Sequence, residues 1–366
     1  MFKIRTLLLT ACIFAGPTGI ANADSDQVKA FNKAYQAYLE FDQQGAPEKS
    51  LPEAKKALAL GEEILDANEA ELPILTYNYG NNLVELKKWQ KAKPVLEKAL
   101  SRYQSHYGQQ SSELIPVLMD LGEVEIRLNF DKHKSKYYKN ALKLSAQYDG
   151  DTSVDYGWHL TDAGSTMLSY SDNGAAGKHL NHGYKILQKN LGDKHVRTGY
   201  AAFHLAKYEM SRNHFPKARD YLLLALISFE NPDQPSNQLE LSTHAFLVKI
   251  YEELGQTDNA TAHCQAIGRM TPVEPGQELM ILFNTAPNYP RSAVYSGKSG
   301  FAKLSFDVDE YGIVRNPQVI EVSGDEAFGS ASIDALNKWR FAPRFVDGQP
   351  VTTSSTQVMT FELSPN

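Results

Sequence analysis

The strongest constraint on the fold of this 366-residue chain is a sequence pattern that returns every 42 residues. Each copy begins with a residue pair, and mostly small or apolar residues follow the second member of the pair after 12, 16 and 19 positions. The five pairs are Tyr79-Gly80, Leu121-Gly122, Ala163-Gly164, Leu205-Ala206 and Leu247-Val248. In the last copy the later positions are Ala260, Cys264 and Ile267. A fixed period of this length predicts an array of stacked structural repeats.

The spacing predicts that each repeat is a pair of helices. Small residues 12 positions apart, one on each helix, let the two helix axes approach to about 8–10 Å. The residues four and seven positions further on share one face of the second helix, so they are buried together. A single pair cannot bury that face, whereas a stack can. We therefore expect about six helix pairs between Gln27 and Met270, in a helical domain over residues 24–270. A turn lengthened by Gly45-Ala46-Pro47 makes the first pair irregular.

The repeat resembles the tetratricopeptide repeat, whose usual period is about 34 residues, and its length is similar to that of the variant found in kinesin light chains. The clearest copy runs from Leu191 to Leu226. The resemblance implies an α-solenoid that binds a partner through the inner face of its first helices. The inward positions it implies are Tyr77, Asn81, Glu85, Met119, Glu123, Arg127, Trp158, Ser165, Tyr200, Phe203, Lys207 and Lys249. Their mixture of aromatic, amide and charged side chains suits an extended peptide, and the alternative that several of them are core residues carries equal weight.

The first 23 residues have the anatomy of a secretory signal peptide. Lys3 and Arg5 precede the apolar run Leu7–Phe14, and an Ala-Asn-Ala sequence ending at Ala23 offers a cleavage site. Lipid attachment at Cys12 is a competing interpretation, but it would leave a signal of only eleven residues. Cleavage near Ala23 changes the net charge from −6 to −8, which argues against nucleic acid or an anionic membrane surface as the partner.

The rest of the sequence offers no motif for catalysis or membrane insertion. No later segment has the roughly 18 consecutive apolar residues of a membrane helix, so we do not expect an integral membrane protein. His179 and His182 can share a helical face, but no H-E-x-x-H pattern accompanies them, and we interpret them as surface histidines. Cys264 is the single cysteine after cleavage, and its place in the repeat predicts a buried packing residue. We expect no enzymatic activity, no metal site and no cofactor.

The periodicity changes beyond Thr271, where two prolines predict a linker over residues 271–277. A small α+β domain is expected over residues 278–366. Its elements are a helical turn near Arg291 to Tyr295, a strand through Ala302, Leu304, Phe306 and Val308, a second strand through residues 318–322, a helix through Phe328, Ala331, Ala335 and Trp339, and a last strand through Gln357, Met359, Phe361 and Leu363. Trp339 and Phe341 are expected to be buried and Arg340 to be exposed, while Pro343 prevents the helix from continuing.

Five segments of this tail resemble, in order, the C-terminal domain of the TonB family of energy transducers. They are APNYPRSAVYSGKSG, FDVDEYGIV, VIEVSG, AFGSASIDALNKWRFAP and DGQPV, followed by a final strand QVMTFEL. The similarity covers Leu279 to Leu363. It implies an antiparallel sheet with one main helix, which captures a short segment of an outer-membrane receptor in the periplasm by adding it as a strand to the sheet edge. The matching partner-binding positions are Tyr289, Pro290, Val358, Met359, Thr360 and Phe361.

This chain departs from the family's sequence pattern in two ways, and each removes one function that the resemblance would otherwise imply. Ala286 stands where some transducers carry a glutamine, so a partner contact made by that glutamine is not expected. A signal peptide and repeats stand in place of the family's membrane helix and proline-rich spacer, so we do not expect energy transduction by this chain without an anchored transducer complex. The sequence favours a periplasmic adaptor that holds a receptor or envelope partner through its tail and a second protein through its repeats, linked to TonB-dependent transport. The alternative is a structural scaffold for envelope assembly whose TonB-like fold has lost receptor binding.

Overall fold

Twelve helices in the described part of the chain follow one another as six pairs, which confirms the helical repeat. They are α1 (Ser25–Gln43), α2 (Pro47–Ile64), α3 (Glu71–Glu85), α4 (Trp89–Tyr107), α5 (Ile115–Leu128), α6 (Lys136–Ser145), α7 (Val154–Leu168), α8 (Asn173–Leu191), α9 (Val196–Met210), α10 (Phe215–Phe229), α11 (Gln238–Glu253) and α12 (Thr257–Met270). The structure, a computed structural model, describes residues 25–66, 69–128, 135–169, 173–230, 238–271 and 276–363. The expected signal peptide, residues 1–23, lies outside the described residues.

The chain divides into two compact units, Met1–Ile186 and Leu187–Asn366, and the division falls inside α8. The first unit holds α1 to α7 and most of α8. The second holds the last helix pairs together with the C-terminal α+β region. The division does not coincide with the linker expected over residues 271–277, of which residues 272–275 lie outside the described segments.

The small residues of the repeat lie where the second helix of a pair touches the first. A Cβ atom added to Gly80 would lie 2.7 Å from a methyl carbon of Leu96, and one added to Gly122 would lie 2.7 Å from the ring of Tyr138. Leu96 and Tyr138 are fully buried, and each follows its glycine by 16 positions. The close contact expected from the spacing is therefore present, because any side chain at these positions would occupy the space of its neighbour.

A leucine at Gly122 should destabilise the first unit. Its side chain would have to displace the Tyr138 ring, and overpacking of this kind costs about 1–3 kcal/mol. Urea unfolding followed by circular dichroism measures the change. Leucine at the exposed position Ser101 of α4 is the control, and equal midpoints for the two variants would contradict the packing described here.

The 42-residue period also governs the ends of the helices. The side chains of Ser111, Ser153 and His195 each accept a hydrogen bond from a backbone N–H two or three residues later, and so cap the start of the following helical segment. Three glycines in the connections between pairs have positive φ, a conformation that glycine adopts with little strain. They are Gly108, Gly150 and Gly192, with φ of 86°, 92° and 78°. The period therefore fixes turns as well as packing positions.

In the second unit, α11 and α12 are joined by a contact between two histidines. The Nδ1 atoms of His244 and His263 lie 2.8 Å apart, so one ring donates a hydrogen bond and the other accepts it. Tyr251 stacks on His263 with an interplanar angle of 9°. Burial lowers the pKa of both rings to about 4, and His244 adds to the effect on His263. Beside them Cys264 is fully buried, as predicted, and burial raises the pKa of its thiol to about 12.

This pair predicts that the second unit loses stability in acid. Both folded pKa values lie below the value of about 6.5 for an unfolded histidine, so the stabilisation is complete above pH 6.5 and is lost as the pH falls toward 4. The loss should be on the order of 3 kcal/mol for each histidine. His263→Gln should reduce the pH dependence of the unfolding midpoint, whereas a change at the exposed His182 should not. An unchanged slope in His263→Gln would contradict the assignment.

The C-terminal region forms a three-stranded antiparallel sheet with short additional elements. The elements are β1 (Ile281–Phe283), α13 (Arg291–Tyr295), β2 (Gly300–Val308), β3 (Val314–Ser323), α14 (Ala327–Leu336), β4 (Arg340–Phe341), β5 (Arg344–Val346), β6 (Gln349–Val351) and β7 (Thr353–Phe361). The strand order in the main sheet is β3-β2-β7. The expected helical turn, strands and main helix are confirmed, except that α14 ends at Leu336, before Trp339, and β7 ends at Phe361, before Leu363. The pairing of β1 with β4 and the β5–β6 hairpin were not predicted.

The core of this region lies between the sheet and α14, with Trp339 and Phe341 both buried as expected. The indole N–H of Trp339 donates to the Thr285 carbonyl at 3.0 Å. The expectation that Arg340 is exposed was wrong, since only 6% of the residue is accessible. Its guanidinium forms an ion pair with Glu252 of α11, a helix that sequence spacing had not placed beside the tail.

Candidate partner-binding sites

Two edges of the three-stranded sheet have no strand partner among the described residues, and they differ in regularity. The register of β3 against β2 shifts twice, and Asn316 within β3 has a φ of 52° just before Pro317. By contrast, β7 pairs with β2 in an unbroken register from Thr353 to Phe361. Bulges and prolines protect an edge against an added strand, whereas a regular edge accepts one. The β7 edge is therefore the one whose geometry suits strand addition.

The direction of the β7 amides follows from two hydrogen bonds at the ends of the sheet. The Asp309 N–H donates to the Ile313 carbonyl on the β3 side, at 3.0 Å. Amide directions alternate along a strand, so the even-numbered residues of β2 face β7. At the other end, the Leu363 N–H donates to Ser299 Oγ beside β2, at 3.3 Å. With the observed register, both facts place the odd-numbered amides of β7 against β2 and the even-numbered amides on the open edge.

The side chains of β7 alternate as the sequence predicted. Met359 and Phe361 lie in the core, with 5% and 2% of each residue accessible. Val358 and Thr360 are exposed on the opposite face of the sheet. Their backbone N–H and C=O groups also face the open edge, where the Val358 carbonyl accepts a hydrogen bond from the Gln357 side-chain amide at 3.0 Å. An added strand would replace that bond and could also contact the two side chains.

Tyr289 and Pro290 are the other residues assigned to the tail site, and Tyr289 contacts the end of β7. The Tyr289 ring makes edge contacts with Phe328 and Phe361, at centroid distances of 5.7 Å and 5.6 Å. Its hydroxyl donates to the Lys298 carbonyl at 2.7 Å. Pro290 occupies the cap position before α13. In the structure Tyr289 thus supports the edge from inside the domain.

A polar hollow of about 880 Å³ borders the first half of β7, and sequence reasoning did not find it. Its lining includes Thr353–Thr356 of β7, residues of the β2–β3 ribbon, and the segment Gly276–Leu279. Asp307 lies in it and accepts hydrogen bonds from Ser354 at 2.7 Å and Asn316 at 3.2 Å. These bonds lower the pKa of Asp307, so the carboxylate stays charged. The uninterrupted run of hydroxyl side chains from Thr352 to Thr356 was the available signal.

In the first unit, the inward positions of α3 meet a buried carboxylate on α5. The Asn81 amide donates to Asp120 at 2.7 Å, and only 7% of Asp120 is accessible. Burial and the charge of Asp120 raise the pKa of the Tyr77 hydroxyl well above its usual range. Tyr77 also makes an edge contact with Tyr103. Asp120 was missed by sequence analysis, although a lone acid in the apolar run of α5 was a signal for it.

The neighbouring inward residues form a second group in the same unit. Glu123 is buried and pairs with Arg127 at 3.3 Å. The Arg127 guanidinium lies 5.4 Å from the ring centre of Trp89, which the sequence analysis did not single out. Glu85 and Trp158 are partly exposed. The structure brings Glu123 and Arg127 together as an ion pair.

The inward positions of α9 belong to the second unit. Phe203 is buried against Phe229 and Phe246, so at this position the interpretation as a core residue is correct. Tyr200 and Lys207 are partly exposed. The Lys207 ammonium lies 5.9 Å from the Phe203 ring centre, and burial lowers its pKa.

Two further features bear on function. In the residues that the structure describes, no group of three or more histidine, cysteine or acidic side chains could hold a metal ion. No described helix combines the length and the apolar composition that crossing a bilayer requires.

Residues 285–363 match the family described as the Gram-negative bacterial TonB protein C-terminal. A relative among known proteins is the TonB protein of Vibrio cholerae, which is 29% identical over 96 residues. That match spans 26% of this chain and 39% of the relative. The TonB resemblance of the tail is thereby confirmed.

Solved structures similar to this chain include BtubC from P. vanneervenii, at 16% identity and a TM-score of 0.48, with 72% of this chain and 100% of that chain covered. Another is a tetratricopeptide repeat protein from Parabacteroides merdae, at 15% identity and a TM-score of 0.42, with 67% of this chain and 81% of that chain covered. The helix pairs themselves are established by the packing described above.

Proposed function

We propose that this protein is a non-enzymatic adaptor in the bacterial envelope that captures an extended segment of one partner along β7 and holds a second protein through its repeats. The observation that carries the proposal is the regular edge of β7, which no other described strand pairs with, in a region that matches the TonB C-terminal family. The partner for the tail would be an outer-membrane receptor of TonB-dependent transport or another envelope protein. An anchored transducer complex would supply the energy for any transport step.

The main-chain contacts set the scale of the affinity. Four residues of β7 present their N–H and C=O groups to the open edge: Ser354, Thr356, Val358 and Thr360. Each hydrogen bond makes a net contribution of about 0.5–1.5 kcal/mol to binding, and the entropy lost in ordering the captured segment offsets part of this gain. Selectivity must therefore come from side chains, for which Val358 and the polar hollow beside Thr353–Thr356 are well placed.

The repeats are proposed to bind the second partner through partly exposed inward residues. Tyr77, Asn81, Glu85 and Trp158 serve in the first unit, and Tyr200 and Lys207 in the second. Buried Glu123 and Phe203 support these positions without direct contact.

A pull-down from envelope extract, with and without residues 277–366, tests the proposal. We expect the full chain to retain two sets of proteins and the truncated chain to lose one of them, identified by mass spectrometry as proteins with periplasmic segments. If truncation removes no protein, the tail has no partner of its own. The scaffold alternative would then be favoured.

We also propose a periplasmic location, after cleavage near Ala23. The basic and apolar start of the chain supports it. Mass spectrometry of the exported protein should find an N-terminus at Asp24 and a mature chain of about 343 residues. A lipid-modified N-terminus at Cys12, or an uncleaved Met1, would contradict this expectation.

A further inference from the structure

The last helix pair and the TonB-like tail are joined by close contacts on several elements. The most buried of them is the ion pair between Arg340 Nε and Glu252 Oε1, at 2.6 Å, with 7% and 12% of the two side chains accessible. Charges taken out of water need an accurately placed partner. A buried pair between α11 and β4 therefore fixes the position of one element against the other.

Two glycines allow the backbones to approach at this contact. A Cβ atom added to Gly268 of α12 would lie 2.3 Å from the carbonyl oxygen of Pro343 and 3.0 Å from the ring of Phe345. One added to Gly312, in the β2–β3 turn, would lie 3.2 Å from Cβ of Cys264. The space beside each glycine is filled by the opposite element, so the two surfaces are closely packed against each other.

Further contacts extend the interface around these glycines. The Gln265 amide donates to the Glu310 carbonyl at 3.0 Å. The Arg269 guanidinium lies 5.5 Å from the ring centre of Phe345 in β5. The β5–β6 hairpin therefore has a role that the family match alone does not assign, since one of its strands contacts α12.

We infer that α11 and α12 form one rigid body with the TonB-like domain, so that the β7 edge is held at a fixed position relative to the last repeats. The consequence for partners rests on the proposed function: a protein bound next to α11 and α12 would be held at a set distance and orientation from the segment captured on β7. A flexible linker would instead give an effective concentration that depends on its length. The structural claim itself requires no partner.

Distances between two spin labels on the full chain, measured by pulsed electron paramagnetic resonance, test the inference. Spin labels are attached at Asp258→Cys on α12 and Asp334→Cys on α14, both exposed. The buried native Cys264 stays unlabelled, since its raised thiol pKa disfavours the reactive thiolate. We expect one narrow distance peak. A broad distribution in this background would overturn the inference.

Two variants, one at the contact and one away from it, test whether the contact is what fixes the distance. Gly268→Leu should replace the narrow peak by a broad distribution, because the added side chain would occupy the space of Pro343 and Phe345. Ala262→Leu, at an exposed position of the same helix, should leave the peak unchanged. If Gly268→Leu lowers the helical content, Glu252→Gln takes its place and should also broaden the peak. A narrow peak in folded Gly268→Leu would contradict the docking, and none of these outcomes depends on strand addition at β7.

Discussion

Replacing Trp339 by alanine is expected to unfold the TonB-like tail while leaving the first unit folded. Truncation of a buried tryptophan costs about 3–5 kcal/mol, and this one also loses its hydrogen bond to Thr285. That is a large share of the stability of a small domain. The ring contacts Phe341, with 6.1 Å between ring centres, so the cavity would open in the middle of the core.

Hydrogen exchange resolved by segment measures the effect. Amides of β2 and β7 should lose protection, and those of residues 71–128 should keep it. Protection in α12 should fall as well, because Gly268 and Gln265 lose their contacts with the tail. Tyr295→Ala is the matched control, since that ring is 89% exposed. Loss of protection in residues 71–128 would show that the tail and the first repeats do not unfold separately.

A proline at Thr360 is expected to abolish capture of the tail's partner while the domain stays folded. Proline lacks an N–H and cannot complete a ladder hydrogen bond, but it is tolerated on an edge strand where that N–H would face solvent. The Thr360 N–H faces the open edge, so the substitution removes a donor that only an added strand would use. Thr360→Ser keeps the donor and should bind normally.

Met359→Pro is the matched control for the direction of the backbone N–H. Its N–H faces β2, and its side chain lies in the core, so this substitution should unfold the domain. Binding is measured against the partner recovered with the full chain, and folding by circular dichroism. A folded Thr360→Pro variant that binds as well as the parent would rule out strand addition at this edge. The repeat surface would then be the main binding site.

The repeat architecture could be predicted because one physical requirement recurs. Gly80 and Gly122 must be small for the helices to touch, and that need appears in the sequence at a fixed interval. The glycine at position 108 and the side-chain cap at position 111 recur at the same interval, with histidine in place of serine at position 195. These recurring turn residues are therefore a second signal of the repeat in the sequence.

What could not be predicted depends on contacts between distant segments. Arg340 follows the helical stripe at an apparently exposed position, and nothing local indicates that Glu252, 88 residues earlier, lies against it. The pairing of β1 with β4 is equally remote in sequence and involves strands of two or three residues, too short to show alternation. The β5–β6 hairpin is different: Asp347-Gly348 is a typical two-residue hairpin turn and was a missed signal.

The candidate site on β7 was likewise predictable only where local sequence determines it. Alternation in the last strand indicated which side chains are buried, whereas the direction of each amide required the register with β2. Deciding which of the two sheet edges can accept a strand also required the structure, because the bulges of β3 arise from its pairing with β2.

The most direct test of the adaptor is amide exchange along β7 in the full chain, measured by nuclear magnetic resonance with and without the captured partner. The account predicts that the amides of Thr356, Val358 and Thr360 exchange rapidly in the free protein and become protected in the complex. The amides of Gln357, Met359 and Phe361 should be protected in both states, because they already bond to β2. Binding that leaves the exchange of Val358 and Thr360 unchanged would contradict capture at this edge.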